Sequence, residues 1–199
     1  MDDPVEVLDF WLGSVGPDGW YAGGDDLDAM CRDGFMELWL AAKEGGLDHW
    51  VEGTVATLAF LILTDQLPRN MHRGKAESFA TDPLALAAAR KAVDEGWDLD
   101  APEPERQFFY MPFEHSENLA DQHLSVSLLE ERVSSDPEMA LHARAHRDII
   151  ARFGRFPSRN AALGRTDTAE EAAFLADGGY AALVKALRAS HENSHAEGA

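Results

Sequence analysis

The chain has 199 residues, 17 Lys and Arg against 36 Asp and Glu, a formal charge of −19 and 45% apolar residues. That length can bury a sizeable core, and the apolar share is too high for a disordered acidic chain. The acidic surface repels phosphate backbones and anionic lipid, so neither nucleic acid nor a membrane is an expected partner. The one cysteine, Cys31, excludes an internal disulfide and a cysteine metal cluster. The acidic start, Met1-Asp2-Asp3-Pro4, lacks the positive region of a secretory signal. The longest apolar run, residues 55–63 with Thr57 inside it, has about half the length of a membrane span. These features predict a cytoplasmic protein.

In chain order, Asp-Pro precedes a periodic stretch at residues 3–4, 82–83 and 136–137. Asp accepts orphan backbone N–H bonds at an N-cap, and Pro at the first helical position loses no hydrogen bond. Thr168 and Glu171 have the spacing of a capping box. Stops are expected at Gly45-Gly46, Gly96, Gly154 and Gly178-Gly179. Between these marks the apolar residues recur with a helical period. Val5, Leu8 and Leu12 form one stripe, and Leu27, Met30, Cys31, Phe35 and Leu38 the next. Val51, Val55, Leu58, Ala59 and Ile62 follow, widened by Phe60, Leu61 and Leu63, which predicts a helix buried on most sides. Further stripes carry Leu84 and Ala88, then Phe108 and Phe109, Val126 and Leu129, Leu141 and Ile149, Phe174 and Leu175, and finally Leu183 and Leu187. The pattern predicts an all-α protein of about eight or nine helices with no period-two strands. Short links make successive helices antiparallel neighbours, in a bundle or an α-solenoid. Residues 1–189 are expected to form a single helical domain, with residues 190–199 a polar, frayed tail.

Charge is reversed locally. Residues 144–165 hold six arginines and one acid, Asp148; residues 69–75 hold three basic residues and no acid. The first of these stretches contains Arg155, Arg159 and Asn160, and the second contains Arg69 and Asn70. Arginine offers a planar fork for a carboxylate or phosphate, and also complements helix C-termini. The polar counterpart is Glu114-His115-Ser116-Glu117-Asn118 with Asp121 and Gln122, directly after the apolar residues 108–113. Continuous helical spacing would place Glu114, Glu117 and Asp121 on one face. Two readings stand open. The carboxylates pair with the arginines and hold helices in register, or the same groups line a pocket with His115 as acid or base.

Other motifs fail. His142 and His146 have a metal-sharing spacing, but Ala143 stands where a metalloprotease carries its general base. Glu192 and His195 give a lone match to the di-iron pattern, so no metal and no cofactor is expected. Cys31, within an apolar stripe, is expected in the core.

Three blocks resemble a known family. They are residues 65–70 (Asp-Gln-Leu-Pro-Arg-Asn) with 79–85, residues 108–117 with 119–122, and residues 146–150 with 153–157 and Arg159-Asn160. In this order they resemble a largely bacterial family known as domain of unknown function 924. The resemblance implies an all-helical, tetratricopeptide-repeat-like fold of antiparallel helix pairs in an α-α superhelix. It implies no activity and no catalytic residue.

The predicted site comprises Asp65, Gln66, Arg69 and Asn70, then His115, Glu117, Asp121 and Gln122, and last His146, Arg155, Arg159 and Asn160. The expected function is a binding module whose cleft takes a small anionic molecule or a peptide carboxylate. The alternative is a small-molecule enzyme, such as a hydrolase, with His115 or His146 as general base. A third possibility is a scaffold whose ion pairs serve only folding.

Overall fold

The computed structural model describes residues 3–197, with side chains for all of these except Pro137 and residues 191–197. The Glu192/His195 pair and positions 191–199 of the expected tail therefore fall outside the described side chains. Among the described residues there are nine contiguous helices and no strands. The chain divides into two compact units, Met1–Pro112 and Phe113–Ala199.

In the first unit, α1 covers residues 4–20 as Pro4–Leu8, a π turn Asp9–Val15 and, beyond a non-helical backbone step at Gly16 (φ +67°), the turn Gly16–Trp20. Asp3 caps it, its carboxylate accepting from Val5 N at 2.9 Å. Helix α2 is Asp25–Lys43. Helix α3 covers residues 54–71 as Thr54–Leu61, a π turn Ile62–Gln66 and Leu67–Met71, and α4 is Asp82–Glu95.

The π turn in α3 has a local cause. Pro68 has no N–H to give the Thr64 carbonyl four residues back, and its ring crowds that carbonyl. The Thr81 hydroxyl donates to this oxygen instead, at 2.6 Å, and the Trp39 indole N–H donates to Thr81 at 3.0 Å. Thr64 in turn donates to Phe60 O at 2.6 Å. Trp11, Trp39, Trp50, Leu61, Ile62, Leu63 and Leu67 are fully buried, as the broad stripe on α3 requires. Cys31 is buried too; burial and the Asp28 charge push its thiol up to about 12, which makes it an inert core residue.

The short helix α5, Met111–Glu114, begins in the last two residues of the first unit and ends in the second, where it is followed by α6, Leu119–Arg132. Helix α7 is Pro137–Phe153, α8 Ala169–Ala176 and α9 Gly179–Glu197. Asn118 caps α6 through Ala120 N at 2.9 Å, and Asp136 caps α7 through Glu138 N at 3.0 Å. Gly154, at φ +70°, ends α7 with a left-handed residue, which costs a glycine little. The Thr168/Glu171 capping box is complete. Helices α6 and α7 pack together. Helix α9 lies on α7 through Leu141, Ala145 and Val184, flanked by Tyr180, Leu183 and Leu187. No described helix is long and apolar enough to cross a membrane.

Candidate functional site

Four of the twelve predicted site residues lie in the first unit, around the π turn of α3. Arg69 donates to Asp82 at 2.7 Å, to Asp65 at 3.4 Å and to the Ser78 carbonyl, and its guanidinium covers the Phe79 ring. Asp65, almost fully buried, also accepts from the Gln66 amide. Asn70 faces the Cys31 sulfur and receives Arg73 at 3.4 Å. Arg73 makes a fork to buried Asp28 at 2.7 and 2.8 Å, and that hydrogen-bonded guanidinium holds the Asp28 carboxyl below its ordinary range against the effect of burial. Asp82 therefore faces Arg69, while the N-cap of α4 is Thr81, which makes no side-chain cap bond. This polar group joins the end of α3 to the start of α4.

The other eight lie in the second unit. The continuous helix assumed across residues 114–121 does not form. Helix α5 stops at Glu114, the turn 115–118 intervenes, and Asn118 starts α6 afresh. Gln122, fully buried, holds that turn in place: its amide nitrogen donates to Glu114 O at 2.6 Å, to Ser116 O at 2.7 Å and more weakly to Phe113 O at 3.4 Å. Asp121 accepts from the Ser116 hydroxyl at 2.8 Å. Glu117 accepts from Phe156 N at 2.8 Å and takes a fork from Arg165 at 2.8 and 3.0 Å. Burial raises the Glu117 carboxyl, but Arg165 and the Phe156 N–H together hold it below its ordinary value. Arg159 donates to His115 O at 3.0 Å and lies over the Phe156 ring. His115, Glu117, His146 and Arg159 thus gather about one turn and Phe156.

Arg155 and Asn160 turn elsewhere. Arg155 forms a fork to Glu171 at 2.6 and 2.7 Å and donates to Thr166 O at 3.0 Å. Asn160 donates to Asp167 at 2.7 Å. Arg155 and the Thr168 backbone N–H bring the Glu171 carboxyl down to about 2.

The residue left out of the predicted set is Glu114. It is 3% exposed, and its Oε1 lies 2.6 Å from His146 Nδ1. The same nitrogen is 3.0 Å from the His142 carbonyl oxygen. A carbonyl only accepts, so Nδ1 carries the proton and the lone pair of neutral His146 sits on Nε2. No described residue hydrogen-bonds Nε2, and the side chain is 21% exposed. Burial raises the Glu114 carboxyl, yet His146, its hydrogen bond, and the further His115 and His142 bring it below the ordinary value. Tyr180 stands 4.7 Å from the His146 ring and shares a 2.5 Å hydrogen bond with His142 Nδ1. Burial and the Glu114 charge push that phenol up, so it stays protonated. His115 is edge-on to His146 at 6.3 Å. The Nδ1 atoms of His142 and His146 are thus both engaged. Among the described residues no group of three metal-ligating side chains forms.

An all-helical chain with a buried carboxylate holding one histidine tautomer is the class these features define. The chain belongs to the family described as "Bacterial protein of unknown function (DUF924)", whose profile matches residues 7–179. A solved structure, "Structure of Protein of Unknown Function ATU0120 from Agrobacterium tumefaciens", is 41% identical with a TM-score of 0.81. The match covers 86% of this chain and 96% of that one. No curated protein matches.

Proposed function

We propose that the second unit carries a proton-transfer site and that the protein is a small-molecule hydrolase with His146 as general base. The observation that supports this reading is the pair formed by buried Glu114 and His146 Nδ1 at 2.6 Å. It orients the imidazole and favours the cation that forms when Nε2 takes a proton. In the proposed step Nε2 accepts a proton from water as the oxygen attacks a carbonyl carbon. The imidazolium then returns that proton to the leaving group. His115, the other candidate base, stands edge-on to His146 at 6.3 Å, and its carbonyl accepts from Arg159.

The binding-module reading, with a small anionic molecule or peptide carboxylate in an arginine-lined cleft, has less support. Arg69 and Arg155 both engage carboxylates of their own unit. The test is hydrolysis of a panel of activated aryl esters and amides. Turnover is expected from the wild-type chain and should fall about 100-fold or more in His146→Gln, with partial loss in Glu114→Gln and helical circular dichroism retained in both variants. No turnover across the panel, or equal turnover in His146→Gln, overturns the proposal.

A further inference from the structure

The Glu114–His146 contact depends on a backbone that short-range forces cannot hold. Helix α5 has four residues, and one turn of helix does not repay the cost of nucleation. Of its last carbonyls, Phe113 O accepts from Ser116 N at 3.2 Å, while Glu114 O has no following helical turn to satisfy it, because residues 115–118 leave the helix. Those carbonyls, with that of Ser116, converge on the side-chain nitrogen of Gln122. Both amide protons are therefore directed at the segment that carries Glu114 and His115.

Gln122 is not a surface residue recruited to a cap. It is fully buried, and its side-chain oxygen is sealed from water with no hydrogen-bond partner. An apolar side chain of the same length would leave no such orphan acceptor. What the carboxamide supplies that methionine cannot is the pair of N–H donors.

We infer that Gln122, placed by sequence pattern among ligand-binding residues, is a positioning residue: its amide fixes the Glu114–Ser116 backbone and thereby sets Glu114 against His146 Nδ1. It touches no substrate. The inference builds on the proposed role of His146, but it concerns the hydrogen bond itself and survives even if no substrate is found.

The test is side-chain NMR of the full-length chain at neutral pH. In the wild type, the His146 Nδ1 proton should give a downfield resonance, with nitrogen shifts of the Nδ1–H tautomer. The Gln122 carboxamide protons should exchange slowly and show contacts to residues 113–116. In Gln122→Met, the downfield signal should vanish and the tautomer populations should move toward a free imidazole. Helical circular dichroism should stay at the wild-type level. A wild-type His146 signature in folded Gln122→Met overturns the inference. If Gln122→Met does not fold, the wild-type carboxamide decides: fast exchange, as in an exposed amide, overturns the assignment, and slow exchange with contacts to 113–116 upholds it. The hydrolase proposal fails separately, on turnover.

Discussion

Glu171 gathers two jobs in one carboxylate. It completes the capping box of α8 by accepting from Thr168 N at 2.7 Å, and it binds the Arg155 fork. Both contacts are stronger to the ionised form, which is why its carboxyl lies at about 2 when folded. The unfolded chain has no such contacts, and there the group titrates at its ordinary 4.5. The folded pKa is the lower one, so the stabilisation is complete above the unfolded value and is lost as pH falls from about 4.5 through about 2. Glu171→Gln should therefore be less stable than wild type at pH 7, and the gap should close toward pH 2. Denaturant midpoints across that range measure it; a gap independent of pH would contradict the account. At this scale much of the chemistry was legible in the sequence. The capping box could be read because both members lie within one turn, and the arginines could be read as carboxylate partners. Which carboxylate each arginine takes could not be read, since Arg155 reaches Glu171 and Arg165 reaches Glu117 across 16 and 48 residues. Glu114 was legible as a member of the polar run but not as the carboxylate set against His146, because its importance comes from burial at the end of a helix, which no spacing announces.

Between elements, Arg69 is the bolt of the first unit. It joins the end of α3 to the first residue of α4 and, through Ser78 O, to the loop between them. Replacing it with Met leaves Asp65, almost fully buried, facing a lost cation. A hydrogen bond to a charged group contributes about 1.5–3 kcal/mol, and Arg69 is partly exposed, so Arg69→Met should cost about 2 kcal/mol in urea unfolding. Arg69→Lys should recover little, because a single ammonium cannot hold the two directions of a guanidinium fork. Full rescue by Lys would show that charge alone matters. The helices themselves were legible from period and punctuation: Gly96, Gly154 and the Gly178-Gly179 pair stand where α4, α7 and α8 end. The break between α5 and α6 was not. Residues 114–122 keep a helical spacing of polar groups, but Asn118 caps a new helix and Pro112 confines the old one to a single turn. The π turns were equally hidden, because the partner that frees the Thr64 carbonyl from Pro68 is Thr81, on a different element.

For the whole molecule, 36 acids against 17 basic residues leave 36 − 17 = 19 carboxylates that cannot be matched by a Lys or Arg. The ion pairs on the surface do not offset this. Arg152–Glu170 and Arg188–Glu138 join side chains that are about half exposed, where such pairs contribute between about 0 and 1 kcal/mol. Compaction brings the surplus negative charges together, whereas the unfolded chain spreads them out. Screening separates the two effects. The Debye length falls from about 30 Å at 0.01 M salt to about 8 Å at 0.15 M. The long-range repulsion acts over the larger distances and is screened first, while pairs in contact at less than 3 Å, such as buried Asp28 with Arg73, keep most of their interaction. The melting temperature at pH 7 should therefore rise as sodium chloride is raised from about 10 to about 150 mM, and the rise should shrink toward pH 4.5, where carboxylates begin to protonate. A fall with salt at neutral pH would mean that the surface pairs outweigh the repulsion. Sulfate serves as the control: it strengthens burial at any protein charge, so only a chloride response that fades with acid reports the surplus of carboxylates.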